Sequence, residues 1–428
     1  MEGLLGDGEN LPLSMQTPNL GEAHFASKTC EHTISDDIRI PERIEVGSQP
    51  GVQFEAAGPR AKLFFDAKKT RAGIVTCGGL CPGLNNVIRS LFLELYYGYG
   101  VKEVLGFRGG YSGLDPKSNR EPVKLTPEYV SCIHQQGGTV LGSSRGPVDI
   151  GRAVANLIAR GVNILFTVGG DGTQRGGNEI YQEARKHGHL ISVVGVPKTI
   201  DNDVAFVSRT FGFISALEEA DRVLDCAHTE ARSVPGGIGL VRLMGRHAGF
   251  VTAGAAVANQ DVNFALIPEV PFKLESFLAA LKERILQKSH AVIAVAEGAG
   301  QDLLEADAAA RDASGNVKLR DIGPFLRQQI EGFFKKEGIP IVVRYFDPSY
   351  QVRSRPANTE DAILCDLYAR HAVHAAMAGK TGVVIGFLHE RFIHVPIELL
   401  CTKTKRLDPL SGWWRSVLSA TGQPARFD

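Results

Sequence analysis

Apolar positions along the chain fall into two patterns. Ala72–Thr76, Ile164–Val168 and Ile191–Val196 are short, almost wholly apolar runs, the form taken by buried parallel strands. Between them, apolar residues recur at helical spacing. Positions 87, 88, 91, 92, 95 and 96 share one face, and Arg152–Arg160 and Asn178–His187 read as further helices, followed by Gly161 and Gly188. Strand, glycine loop and helix repeat in that order, which predicts βαβ units, a mostly parallel sheet and an α/β fold. Ligands of such sheets sit at the C-terminal strand ends, where these glycine loops lie.

Further along, residues 291–300 (AVIAVAEGAG) predict another buried strand running into a polar loop. A helix over Thr359–Ala378 precedes a strand over Gly382–Phe387. The pattern predicts a crossover between two α/β lobes near 210–215 and a return near 350. Residues 1–60 are polar and aperiodic and read as a partly ordered extension. Residues 61–212 with 351–400 read as a larger lobe, 213–350 as a smaller lobe and 401–428 as a C-terminal tail. Within 302–320 the triplet SGN signals a turn.

Charge and composition then narrow the function classes. The 47 Lys and Arg balance 47 Asp and Glu, so the net charge is zero, which argues against nucleic acid or an anionic membrane as partner. No window approaches the roughly 18 consecutive apolar residues of a membrane span. The first residues have neither a basic n-region nor an apolar h-region, which predicts a cytoplasmic chain. Seven cysteines are scattered without a C-x-x-C pair, so Cys77 and Cys81 read as plain thiols rather than zinc ligands. The histidine pairs 371/374 and 389/394 lack an evident third ligand and read as structural. Glycine alone stands out, with 48 residues, as befits a protein with many tight loops at anionic ligands.

Three segments carry chemistry. In TCGGLCPGLN (76–85), Gly78, Gly79 and Gly83 let backbone N–H groups approach an anion at a helix start, although a strand-to-helix turn needs glycines for steric reasons too. In GGDGT (169–173), Asp171 follows a buried strand, where a carboxylate between glycines can hold Mg²⁺ beside a polyphosphate. In PKTIDND (197–203), two carboxylates stand two residues apart beside a hydroxyl and an ammonium. One carboxylate can take the proton of an attacking alcohol while Thr199 and Lys198 contact the phosphoryl group. Arg145, Arg246, Arg344 and Arg353 lie beside glycine-rich or turn segments and suit a sugar phosphate. Neither a dinucleotide fingerprint nor a P-loop occurs.

These motifs resemble the 6-phosphofructokinase family. TCGGLCPGLN, GYSGL, GGTVLGSSRGP, GGDGTQRG, PKTIDND, LMGRHAGF, AEG and DPSYQVR follow the family's order over roughly residues 60–425, ending near TGQP. The resemblance implies two Rossmann-like lobes around an active-site cleft, with ATP and Mg²⁺ phosphorylating the 1-hydroxyl of fructose 6-phosphate. It implies Asp201 as general base, Asp203 in the metal and charge network, Thr199 and Lys198 at the moving phosphoryl, and Arg246 stabilising transition-state charge. Ile200, Met244, Gly245 and Glu297 would contact the sugar, and Arg344, Tyr350 and Arg353 its 6-phosphate. Gly78, Arg145, Gly146, Gly170, Gly172 and Thr173 would contact the nucleotide phosphates, Tyr111 would lie near the base, and Asp171 would hold Mg²⁺. A cytoplasmic, allosteric homodimer or homotetramer is implied as well.

Donor choice rests on two positions. Pyrophosphate-using members typically carry aspartate where this chain has Gly172, and its bulk and charge oppose a nucleotide α-phosphate. Lys198 resembles the pyrophosphate enzymes, but an ATP-dependent branch combines this glycine with this lysine. The expectation is therefore ATP, with pyrophosphate as the alternative donor. A non-catalytic regulatory paralogue would be expected to lack Asp171, Asp201 or Arg246, and all three are present. Short bacterial-type members donate an arginine across a subunit interface from the position of Gly237, so another residue must supply that charge or the grip rests on Arg344 and Arg353.

Overall fold

The computed structural model describes residues 9–10, 43–45, 53–60, 63–304, 319–400 and 404–428. The SGN turn lies outside the described residues, as does most of the expected extension. Eleven strands of the described residues form two main sheets. In chain order they are β1 (Arg71–Thr76), β2 (Glu103–Gly106), β3 (Val123–Lys124), β4 (Ile164–Gly169) and β5 (Ser192–Pro197). Next come β6 (Gly237–Leu243), β7 (Phe264–Leu266), β8 (His290–Ala296) and β9 (Val342–Phe346). The last are β10 (Val383–Leu388) and β11 (Arg391–Pro396). By contact density the chain divides into two compact units, 1–199 with 204–212 and 355–403, and 200–203 with 213–354 and 404–428.

The first unit holds a seven-stranded sheet in the order β11-β10-β5-β4-β1-β2-β3. Its centre is parallel, and only β11 and β3, at the two edges, run antiparallel to their neighbours. All six residues of β4 and all six of β5 are buried, as continuous apolar runs between two helical layers require. Val75, Phe107, Leu157, Leu165, Ile180 and Val193 belong to the core on one face. Register places the loops. Thr76 pairs with Val168, and Gly169 pairs with Pro197, so the segments after β1, β4 and β5 leave the sheet at one level.

The second unit holds a four-stranded, all-parallel sheet in the order β7-β8-β6-β9. Leu243 pairs with Ala296, so the segments after β6 and β8 also leave together. Its core gathers Leu240, Phe264, Phe277, Ile293, Leu326 and Phe334.

Two boundary segments carry structure of their own. The expected C-terminal tail has structure from 404 onward: helix Gly412–Thr421 is capped by Ser411, and Phe427, 4% exposed, joins the core of the second unit. Leu407, Trp414 and Val417 are buried as well, at a spacing that leaves little periodic signal. At the other end, part of the expected extension belongs to the first unit. Gln53–Glu55 forms a short strand with Arg43–Glu45, Ala56 bridges Ile393, and Phe54 is fully buried against Phe206.

Candidate active site

In the first unit, side chains and backbone lock the loops at the strand ends to one another. The Gly78 N–H donates to the Ser144 carbonyl at 3.1 Å, and Ser143 Oγ donates to the Gly78 carbonyl at 2.6 Å. Thr76 Oγ1 donates to the Gly142 carbonyl at 2.7 Å. The LGSSRGP segment is therefore laid along the glycine loop after β1, leaving Arg145 and Gly146 exposed. From β5, the buried Lys198 sends its ammonium to the Gly79 carbonyl at 2.6 Å.

Asp171 opens the helix Asp171–Lys186, with Gly170 extended as its N-cap. The carboxylate thus sits in the first turn, where helix N–H groups favour negative charge. Gly172 is exposed, and a Cβ built on it meets nothing within 4 Å. Thr173 is buried. The Tyr111 ring is buried in the core, and its hydroxyl donates to the Thr173 carbonyl, so it braces the GGDGT loop. Gln174 was not singled out from sequence. Fully inside, its Nε2 donates to the Gly169 carbonyl at 2.8 Å and approaches the Thr167 and Val196 carbonyls at 3.2 and 3.3 Å, tying β4 to β5 beneath the loop. Asn85 was missed likewise; it holds the Gln136 carbonyl at 3.0 Å and the Val140 N–H at 2.8 Å.

The PKTIDND segment is divided between the units: Pro197–Thr199 falls in the first, Ile200–Asp203 in the second. Thr199 is fixed by the Thr210 hydroxyl on its carbonyl at 2.7 Å. In the second unit Ile200 is buried, and Asn202, with φ 53°, turns the chain between Asp201 and Asp203. Asparagine tolerates that left-handed conformation better than most residues. The Lys405 N–H donates to the Asp203 carbonyl at 2.9 Å, so the C-terminal segment supports this turn. Burial pulls the Lys405 ammonium down to about 8, against the opposing pull of Asp203.

The MGR and AEG segments interlock through backbone. The Glu297 N–H donates to Leu243 at 2.9 Å, and the Gly298 N–H to Gly245 at 3.1 Å. Gly245 has φ 126°, and any Cβ on Gly298 would overlap the Arg246 carbonyl, so both glycines are obligatory. Met244 and Arg246 are half-buried. Burial raises the Glu297 carboxyl, while Arg242, Arg246 and Arg353 pull it down. After β9, Tyr350 is exposed and the Arg353 guanidinium lies 4.9 Å from its ring centroid. Arg344 is exposed on the edge strand β9, with Nε 3.5 Å from Glu230. Gly237 starts β6 against Ala231, with no room for a side chain.

Other expectations concern the thiols and the histidines. Cys77 and Cys81 are buried, with burial pushing the Cys77 thiol up to about 12. His374 Nδ1 bonds Tyr99 Oη at 2.7 Å and His394 Nδ1 bonds Glu55 at 2.9 Å. Burial holds His371 and His374 near 3, so both stay neutral. Among the described residues no three His, Cys, Asp or Glu side chains group as a metal site, and no helix is long and apolar enough to cross a membrane.

Against known proteins, the family model described as Phosphofructokinase matches residues 71–376. The chain belongs to the phosphofructokinase family. It is 45% identical over 413 residues to the ATP-dependent 6-phosphofructokinase of Amycolatopsis methanolica, covering 94% of this chain and 90% of the relative. It is 47% identical over 370 residues to that of Trypanosoma brucei brucei, covering 86% of this chain and 76% of the relative. Among solved structures, the pyrophosphate-dependent phosphofructokinase of Marinobacter aquaeolei matches with TM-score 0.68 at 19% identity, covering 82% of this chain and 91% of that one. That last likeness concerns the fold. The two α/β units and their parallel sheets are thus those of the family.

Proposed function

We propose that this chain is an ATP-dependent 6-phosphofructokinase, a phosphotransferase that moves the γ-phosphoryl of ATP to the 1-hydroxyl of fructose 6-phosphate. The observation that carries the reading is the register of β4 with β5. Gly169 faces Pro197, so the GGDGT and PKTIDND segments leave neighbouring strand ends, and the Lys198 N–H donates to the Gly169 carbonyl at 3.0 Å. A carboxylate at a helix N-terminus, a hydroxyl and an ammonium then follow the C-terminal ends of neighbouring strands of one sheet. That combination suits an anionic donor better than a neutral one.

In this reading Asp201 accepts the proton of the 1-hydroxyl, which lets that oxygen attack phosphorus in line. Arg246, Lys198 and Thr199 offset charge on the moving phosphoryl, and Asp203 supports that network. Gly78, Arg145, Gly146, Gly170, Gly172 and Thr173 contact the donor phosphates. Ile200, Met244, Gly245 and Glu297 orient the sugar, while Arg344, Tyr350 and Arg353 hold its 6-phosphate. A single carboxylate without a three-ligand cage fits Mg²⁺ that arrives with the phosphates, because Mg²⁺ is usually held by one or two carboxylates plus substrate oxygens. Bound by Asp171, Mg²⁺ would neutralise charge on the phosphate oxygens.

The open space at Gly172 favours ATP over pyrophosphate. Lys198 is the observation on the other side, although its ammonium is already engaged by the Gly79 carbonyl. Family likeness supports a cytoplasmic homodimer or homotetramer, and cysteines scattered without a C-x-x-C pair suit a reducing compartment. The replacement Asp201→Asn tests the assignment of the base. Fructose 1,6-bisphosphate formation should fall roughly 10²–10⁴-fold, as loss of a general base does. Retention of full turnover would remove Asp201 from that role.

A further inference from the structure

Arg242 projects from β6 into a ring of acidic groups drawn from three separate elements. Its Nη2 donates to Glu297 Oε2 at 3.1 Å, just past β8. Nη1 donates to Asp347 Oδ2 at 2.9 Å and to Ser349 Oγ at 2.8 Å, both just past β9. Nε lies 3.2 Å from Asp321 Oδ1, and Asp321 also caps the helix Ile322–Lys336. Only 16% of the Arg242 side chain and 18% of that of Glu297 are exposed, so that pair is largely desolvated, while Asp347 and Asp321, 36% and 50% exposed, form its solvated rim. Both terminal guanidinium nitrogens are hydrogen-bonded within the protein, while the buried Nε faces Asp321 without a hydrogen bond, so Arg242 is ill placed to substitute as a phosphate grip for the missing arginine at Gly237.

We infer that Arg242 is the positioning residue of the sugar-phosphate half of the site, fixing Glu297 and the Asp347–Arg353 segment at one spacing. The inference rests on the functional reading above, because Glu297, Tyr350 and Arg353 are given their roles there. Its physical basis is geometric. One planar fork holds the ends of two parallel strands and a helix cap, and a misplacement of about 1 Å at such loops costs rate far out of proportion to stability. A second effect is electrostatic. Arg242, Arg246 and Arg353 all draw the Glu297 carboxyl down against burial and the charge of Asp347. Without Arg242 that carboxyl titrates higher, so its charged, hydroxyl-accepting form is lost at a higher pH as acid is added.

The test compares Arg242→Met and Arg242→Lys with the unaltered chain in steady-state assays across pH. Arg242→Met should raise KM for fructose 6-phosphate roughly 10- to 100-fold while KM for ATP stays unchanged, the split expected of a group acting on one substrate's contacts. The acid limb of kcat/KM for the sugar should move to higher pH. Arg242→Lys, which keeps the charge and avoids three uncompensated carboxylates, should recover part of both effects and carries the test if the methionine variant does not fold. Sugar KM and pH limb unchanged in a folded variant, or an equal rise in KM for both substrates, would overturn the inference and leave the functional reading standing. Absence of fructose 6-phosphate turnover in the unaltered chain would strike that reading itself, and the inference with it.

Discussion

Gly172 is the second residue of its helix, exposed, with nothing within 4 Å of where a Cβ would stand. An aspartate there would fit the protein and would gain from the helix dipole. Any loss on Gly172→Asp is therefore a ligand effect and not a folding defect. The expected outcome is a fall in kcat/KM for ATP of roughly tenfold or more, from like charge set against the nucleotide phosphates, with an unchanged melting temperature. Unaltered ATP kinetics would remove the steric and electrostatic basis for donor choice. Residues such as Asp171, Lys198 and Asp201 were legible because each sits inside a dense local motif. Arg242 was missed because its role is set by partners 55 and 105 positions away. Nothing in a local window records such bonds.

At the scale of elements, buried parallel strands announced themselves as short apolar runs, and the glycine loops marked their C-terminal ends. Helix starts were less legible. The helix expected from Asn178 begins at Asp171, because its first turn takes in Asp171, Gly172 and Thr173 of GGDGT, whose glycines and aspartate read as loop. In the C-terminal segment the buried Leu407, Trp414, Val417 and Phe427 are spaced too irregularly to give a period. Phe427 nevertheless lies 5.7 Å from Phe277 and 6.1 Å from Phe264, centroid to centroid, and its carbonyl accepts from the Lys273 N–H at 2.7 Å. The same segment supplies the N–H groups of Lys405 to Asp203 and of Leu407 to Glu269, and Glu269 in turn holds the Gly249 N–H of the MGRHAGF turn. Phe427→Ala should destabilise the second unit by about 3 kcal/mol, the usual effect of emptying a buried aromatic site. Denaturant unfolding checks this, and a change below about 1 kcal/mol would mean that the segment is not docked as described.

Over the whole molecule, the groups read as donor-binding cluster in the first unit and those read as acceptor-binding in the second, and PKTIDND is the segment whose residues are shared between the two. The zero net charge argues against an extended basic surface for nucleic acid or an anionic membrane. Two features point in opposite directions on the donor: open space at Gly172 and a buried ammonium at Lys198 on the Gly79 carbonyl. The measurement that decides is fructose 1,6-bisphosphate formation from fructose 6-phosphate and Mg²⁺, run side by side with ATP and with pyrophosphate. Turnover with ATP and none with pyrophosphate is the predicted result. Turnover with pyrophosphate alone would contradict the account, and would mean that Lys198 outweighs the space at Gly172.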